Sequence, residues 1–79
     1  MENEKQFYIV NCKTGDVYGK SGSFGAGVPM PFKTILTAFK TAQQLADYYR
    51  FEVRVDDQDG NEVCSCVPKV GDIVRDMLR

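Results

Sequence analysis

The chain contains no histidine. Histidine is the commonest general base and the commonest metal ligand, because its imidazole changes charge near neutral pH and offers nitrogen lone pairs. Its absence leaves any serine nucleophile without the base that normally activates it. Paired carboxylates such as Asp56 and Asp57 fall in a predicted turn, where no cleft is implied. The sequence therefore predicts a protein that is not an enzyme, with no catalytic residue and no cofactor.

An excess of charge of one sign is absent as well. Ten basic residues stand against eleven acidic ones, which gives a formal net charge of −1. Such a balance supplies no positive field to attract nucleic acid or an anionic membrane. No apolar run approaches the roughly 18 residues of a membrane-spanning helix, and residues 1–5 do not resemble a secretory signal. We therefore expect a cytoplasmic protein with no nucleic-acid or membrane partner.

A fourth cysteine is missing from the sequence, which has only Cys12, Cys64 and Cys66. An odd number of cysteines argues against a framework of disulfides. Zinc sites built from thiolates usually complete their ligand set with a fourth cysteine or a histidine. The sequence therefore predicts no metal site.

Two motifs match in part and fail in detail. Residues 14–21 (TGDVYGKS) resemble a phosphate-binding loop, but Thr14 replaces its first glycine. More glycines and a proline follow, where that loop must open a helix to bind phosphate. A calcium loop aligned on Gly60 would place Val55 and Cys66 where two ligating carboxylates are needed. The sequence favours neither nucleotide hydrolysis nor calcium binding.

The clearest periodicity lies between residues 39 and 55. Apolar side chains recur at the spacing of one helix face: Ala42, Leu45, Ala46 and Tyr49. Thr41 suits the N-cap of this helix, with Gln44 completing a capping box. From Phe51 the period changes to two, because Val53 and Val55 alternate with charged residues. We predict a helix over residues 41–50 that runs directly into a strand over residues 51–56.

Residues 32–39 fit two structures. They can extend the helix toward its N-terminus, or they can form a β-rich strand that enters the capped helix. We favour the strand, because Thr37 and Thr41 are poor residues for a helix interior and Thr41 caps well.

The other predicted elements are shorter: frayed residues 1–6, a strand over 7–12 that is apolar on both faces, a turn at 13–16, a return strand from Val17, a long glycine and proline loop over 19–33, a strand over 61–67 and a short C-terminal helix over 70–79. Together they predict one domain over residues 1–79 of the α+β class. It would contain a small, mostly antiparallel sheet of four to five strands with one helix packed on a face.

The turn at residues 57–60 decides which way the cysteines face. A type I turn with Gly60 left-handed would pair Val55 with Val63 and place Cys64 beside Arg54 on the second face of the sheet. A two-residue turn would instead pair Val55 with Cys64 and turn that thiol into the core. We favour the first register. On neighbouring strands it would gather one patch of Tyr8, Val10, Cys12, Cys64 and Cys66.

That patch has three interpretations. The one we favour is a face covered by the C-terminal helix or by a second subunit. The others are a zinc site and a redox-active thiol beside Arg54, which would need positive neighbours and access.

The long loop suggests a function. Loops of this length are uncommon in compact domains and are often functional. With no catalytic set and no charge field, the sequence predicts a non-catalytic module that binds a larger protein as an adaptor or inhibitor. Small phage-borne or accessory regulators are similar in size only. The candidate partner-binding residues are Tyr18, Lys20, Phe24, Val28 and Met30.

Two alternatives remain open. The loop amides and Lys20 can bind a small anionic ligand or a nucleotide. The chain can also be a structural module that self-associates as a homo-oligomer through the second face of its sheet.

Overall fold

The protein is an α+β domain with one helix and a three-stranded antiparallel sheet in the part of the chain, residues 5–69, that the computed structural model describes. The elements are β1 (Phe7–Asn11), α1 (Ile35–Tyr49), β2 (Val53–Asp57) and β3 (Glu62–Cys66). The sheet has the order β1-β2-β3, so β2 lies in its centre. The predicted class is confirmed.

The sheet is smaller than the predicted four to five strands. The return segment at Val17 and Tyr18 forms isolated bridges, to Val10 and Phe24 respectively, and not a continuous ladder, so the described residues hold three strands. The predicted C-terminal helix over 70–79 lies outside the described residues. Of the predicted frayed segment, Gln6 donates its backbone N–H to Gln58 Oε1 at 3.1 Å.

The helix begins earlier than predicted. Thr34 is its N-cap, in an extended conformation, and its Oγ1 accepts a hydrogen bond from Thr37 N–H at 3.2 Å. Thr41 therefore lies in the helix interior, and the strand predicted over residues 32–39 is wrong. The alternative of a helix that extends toward the N-terminus is correct from Ile35 onward.

The reason for the early start is packing on one face of α1. Ala38, Ala42 and Ala46 recur every four residues, and all three are fully buried. A helix that began at Thr41 would leave Ala38 out of this contact. The added residues therefore bring Ala38 into the buried face, and this packing overrides the weak helix propensity of the threonines.

The core lies between this alanine face and the inner face of the sheet. Its largest fully buried side chains are Ile9, Val53 and Val55. Val53 and Val55 are therefore buried as the alternation predicted. Alanine projects only a methyl group, so its burial brings the helix backbone close to the sheet. The core is thin, and larger apolar residues of the helix remain at its margins.

The junction between helix and strand is short, but it contains residues 50–52, whereas the prediction had the strand follow the helix directly. Arg50 takes a left-handed conformation (φ 65°, ψ 38°), and its N–H donates to Ala46 O at 2.8 Å. That conformation costs a non-glycine residue about 1–2 kcal/mol. It reverses the chain so that β2 starts at Val53, three residues later.

The hairpin between β2 and β3 begins as predicted. Gly60 N–H donates to Asp57 O at 3.0 Å, and Gly60 has a φ of +88° that glycine adopts without strain. The first pair beyond the turn, Asp56 with Glu62, also follows the favoured register.

A β-bulge then changes the register. Val63 is an extra residue in β3, and beyond it Val55 faces Cys64 and Val53 faces Cys66. The predicted pairing of Val55 with Val63 is wrong, and the alternative register holds for the rest of the hairpin. The bulge shifts β3 by one residue, which turns its cysteines toward the helix side.

Replacement of two threonines tests the start of α1. We expect Thr34→Ala to lower the free energy of unfolding by about 1 kcal/mol, because it removes the capping hydroxyl. Thr41→Ala is the matched control and should be neutral or stabilising by about 0.5 kcal/mol, since alanine is the better interior residue. Urea unfolding followed by circular dichroism measures both. The reverse order would contradict a helix that starts at Ile35.

The hydrogen bonds that Asp57 accepts in the hairpin turn predict how the stability of the fold depends on pH. Asp57 Oδ1 accepts hydrogen bonds from the N–H groups of Asn61 and Asp59, each at 2.9 Å. The Asn61 N–H is the largest cause that lowers the pKa of Asp57; the Asp59 N–H and the charge of Lys5 add to it, and burial opposes it.

Because the pKa of Asp57 is lower in the folded chain than in the unfolded one, its ionised carboxylate stabilises the fold above the unfolded value of about 3.9. That stability is lost as the pH falls through the folded value. Asp57→Asn keeps the accepting oxygen without the charge. We expect the stability difference between this variant and the wild type, from urea unfolding at stepped pH, to shrink below about pH 4. A difference that is constant with pH would contradict this account.

Candidate functional site

The long loop is an ordered structure held by its own backbone. Its hydrogen bonds include those from Gly19 N–H to Ser23 O (3.0 Å), from Lys20 N–H to Val28 O (2.7 Å) and from Met30 N–H to Tyr18 O (3.0 Å). At Gly19 a side chain would collide with the Ala26 carbonyl oxygen, so only glycine fits there. The loop therefore folds back on itself and presents a defined surface.

An aromatic cluster fastens this loop to the rest of the domain. The ring of Phe24 meets Tyr18, Tyr49 and Phe51 edge-on, at centroid distances of 5.4, 5.9 and 5.6 Å. Tyr49 and Phe51 stack on each other at 5.3 Å. Such pairs each contribute about 0.5–1.5 kcal/mol beyond the area they bury. Phe24 thus ties the loop to the end of α1, through Tyr49, and to the junction before the central strand, through Phe51.

The five predicted partner-binding residues divide into two groups. Tyr18 and Phe24 are partly buried in the aromatic cluster, where they hold the loop in place. Lys20, Val28 and Met30 are exposed, with 63% of Val28 and 37% of Met30 accessible to solvent. Only these three have side chains directly available to a partner.

Sequence reasoning missed a second apolar surface on the first half of α1. Ile35, Leu36 and Phe39 are all exposed there, Leu36 to 62%. The prediction of a strand over residues 32–39 hid them. Their spacing of three and four residues was the available signal, because it places all three together on a helix, whereas a strand would put Leu36 on the face opposite Ile35 and Phe39.

This helix surface borders β3. Phe39 O accepts a hydrogen bond from Cys66 Sγ at 3.9 Å, and Gln43 Nε2 donates to Val67 O at 2.8 Å. The side chain of Val67, whose carbonyl accepts the Gln43 hydrogen bond, is exposed as well. Apolar side chains therefore lie on both sides of the contact between helix and edge strand.

The cysteines do not form the predicted patch. Cys66 is buried at the core, and Cys64 packs against it on the helix side of the sheet. The predicted place of Cys64 beside Arg54 is wrong, because the bulge in β3 reverses its face. β2 also lies between β1 and β3, which separates these thiols from Cys12. Within residues 5–69 no group of three or more cysteines and acids is arranged to hold a metal.

Cys12 is the thiol that interacts with Arg54. Burial raises the pKa of Cys12, the charges of Glu52 and Glu62 raise it further, and Arg54 opposes them with its charge and a hydrogen bond. A raised pKa keeps the thiol protonated at neutral pH, whereas redox chemistry needs the thiolate. Arg54 itself binds Asp56 through Nε, at 2.9 Å from Oδ1. This environment does not favour a reactive thiol.

None of the helical structure in residues 5–69 has the length and apolar character that crossing a membrane requires. Comparison with protein-family models, with curated proteins and with solved structures finds no match to this chain.

Substitution of Phe24 tests whether the aromatic cluster anchors the loop. We expect Phe24→Ala to lower the free energy of unfolding by about 2 kcal/mol, less than the roughly 3–5 kcal/mol lost at a fully buried phenylalanine, because Phe24 is only partly buried. Near-ultraviolet circular dichroism should weaken together with the urea midpoint. Val28→Ala in the same loop is the control, and its effect should stay within about 0.5 kcal/mol. Equal effects from the two changes would show that Phe24 does not anchor the loop.

Proposed function

We propose that this chain is a non-catalytic protein-binding module that acts as an adaptor or inhibitor of a larger protein. The observation that carries the proposal is the number of large apolar side chains left on the surface. Nine such exposed residues occur in the described chain. Five of them are close in sequence and form two groups, Val28 and Met30 in the loop and Ile35, Leu36 and Phe39 on the first half of α1. Isolated exposed apolar residues are ordinary, but a concentration of them is typical of protein interfaces.

The loop is suited to binding without rearrangement. Backbone hydrogen bonds and the aromatic cluster around Phe24 hold Val28 and Met30 in place before any partner arrives. A preorganised surface loses less conformational entropy on binding, so more of the apolar burial, at about 25 cal/mol per Å², contributes to affinity. Lys20 lies at the polar edge of this surface.

The ligand-binding alternative receives less support from the loop. An anion site needs backbone N–H groups that point outward without a partner. Here six N–H groups of the loop already donate to backbone carbonyls: those of Gly19, Lys20, Gly22, Gly25, Met30 and Phe32. A phosphate-like ligand would have to displace these bonds, so we favour a protein partner.

Affinity capture tests the proposal. The tagged chain is used to capture proteins from its native host, and mass spectrometry identifies what it retains. We expect the double variant Val28→Ser and Met30→Ser to lose the retained partner at least tenfold, because it removes two exposed apolar contacts.

Tyr48→Ser is the matched control, since Tyr48 is 78% exposed on the last turn of the helix, and it should retain the partner. Circular dichroism of both variants checks that the fold is unchanged. Undiminished capture by the double variant would remove the loop from the interface. Light scattering separates self-association from capture of a different protein.

A further inference from the structure

The face of the sheet opposite α1 contains an open depression of about 280 Å³. Its apolar lining comes from Tyr8 and Val10 of β1, from Val17 of the return segment and from Pro29 of the loop. Asp56 and Asp57, at the end of β2, line the same depression. The volume falls below the roughly 300–1,000 Å³ of small-molecule sites, so it suits a protein side chain better than a complete ligand.

Strand pairing explains how the apolar lining and the acidic side meet. Tyr8 lies opposite Asp56 in the pairing of β1 with β2, and Val10 forms a bridge with Val17 at the other edge of β1. Pro29 forms a bridge with Gly19 and so brings the loop to this edge. The depression is therefore built from the sheet and from the same loop that carries Val28 and Met30.

The charge around the depression is predominantly negative. The hairpin carries the carboxylates of Asp56, Asp57, Asp59 and Glu62. The charge of Lys5 acts on Asp57. Arg54 binds Asp56 and neutralises it in part. Asp57 is an ionised carboxylate at neutral pH, and the N–H groups of Asn61 and Asp59 lower its pKa further.

We infer that this depression receives a lysine or arginine side chain of the protein partner. The aliphatic stem of such a side chain would lie on the apolar lining, and its cationic head would reach the carboxylates of Asp56 and Asp57. Long basic side chains bind in this way, with the methylene groups packed and the charge at a polar edge. The inference rests on the proposed function and adds to it the chemistry of the partner: a basic residue beside apolar ones, which would contact Val28 and Met30.

The test uses short random peptides displayed on phage and selected against the full chain. We expect the enriched peptides to carry lysine or arginine next to apolar residues. A selected peptide is then synthesised with a fluorescent label, and its affinity is measured by fluorescence polarisation. Asp56→Asn and Asp57→Asn should each weaken binding about threefold to fivefold, the size of effect expected of a partly exposed ion pair.

Asp59→Asn is the matched control. The substitution removes the same charge from the same hairpin, but Asp59 does not line the depression, so the effect on binding should stay below about 1.5-fold.

A second measurement is independent of any change in folding. A peptide with its basic residue replaced by methionine should bind more weakly to the wild type and should no longer respond to Asp57→Asn, as a double-mutant cycle requires of a direct contact.

Each other outcome has a definite meaning. Enriched peptides that lack a basic residue, or equal effects of Asp57→Asn and Asp59→Asn, overturn the inference. If the peptides that overturn the inference still bind the Val28→Ser and Met30→Ser variant more weakly than the wild type, the proposed protein-binding function is supported and only the inference about the depression is lost. If no peptide is enriched, both are contradicted. Self-association that Asp57→Asn abolishes would assign the depression to a second copy of the chain and would overturn the inference.

Discussion

The close contact between the alanine face of α1 and the sheet determines the rest of the structure. Ala38, Ala42 and Ala46 contribute only methyl groups, so the helix lies near the backbone of β2 and the core stays thin. A thin core has little room for large side chains between its layers. The larger apolar residues of the helix are therefore placed along its margins, where Leu36 and Phe39 meet solvent. The apolar surface of the domain thus results from how its interior is packed.

The long loop has few contacts with the thin core and is held in place by one aromatic side chain instead. A segment rich in glycine has much conformational entropy to lose, and a thin core offers it few contacts. Phe24 supplies them, since its ring packs among aromatic residues from the end of α1 and from the junction that precedes β2. A single anchor near the middle of the loop lets its second half, with Val28 and Met30, stay exposed while the backbone is held. Order and accessibility therefore coexist in one segment.

Strong local patterns made most of the fold predictable. The α+β class, the alternation of Val53 and Val55 and the turn before Gly60 follow from the sequence, because each rests on neighbouring residues. The helix start did not, since Thr34 and Thr41 both cap well and only tertiary packing of the alanines decides between them. The bulge at Val63 has no local signature, as it depends on how β3 fits the finished sheet.

The same reasoning applies to the candidate site. The exposure of Val28 and Met30 in the loop was predictable, but the anchoring role of Phe24 depends on rings that are distant in sequence.

The strand order has a consequence for synthesis of the chain. β2 is central in space but comes late in sequence, so β1 leaves the ribosome long before the strand with which it pairs. At about 5–20 residues per second, the nascent β1 waits on the order of seconds. Both faces of β1 are apolar, through residues such as Ile9 and Val10. During that interval it has the character of a chaperone substrate, and the domain closes only when translation has passed β2.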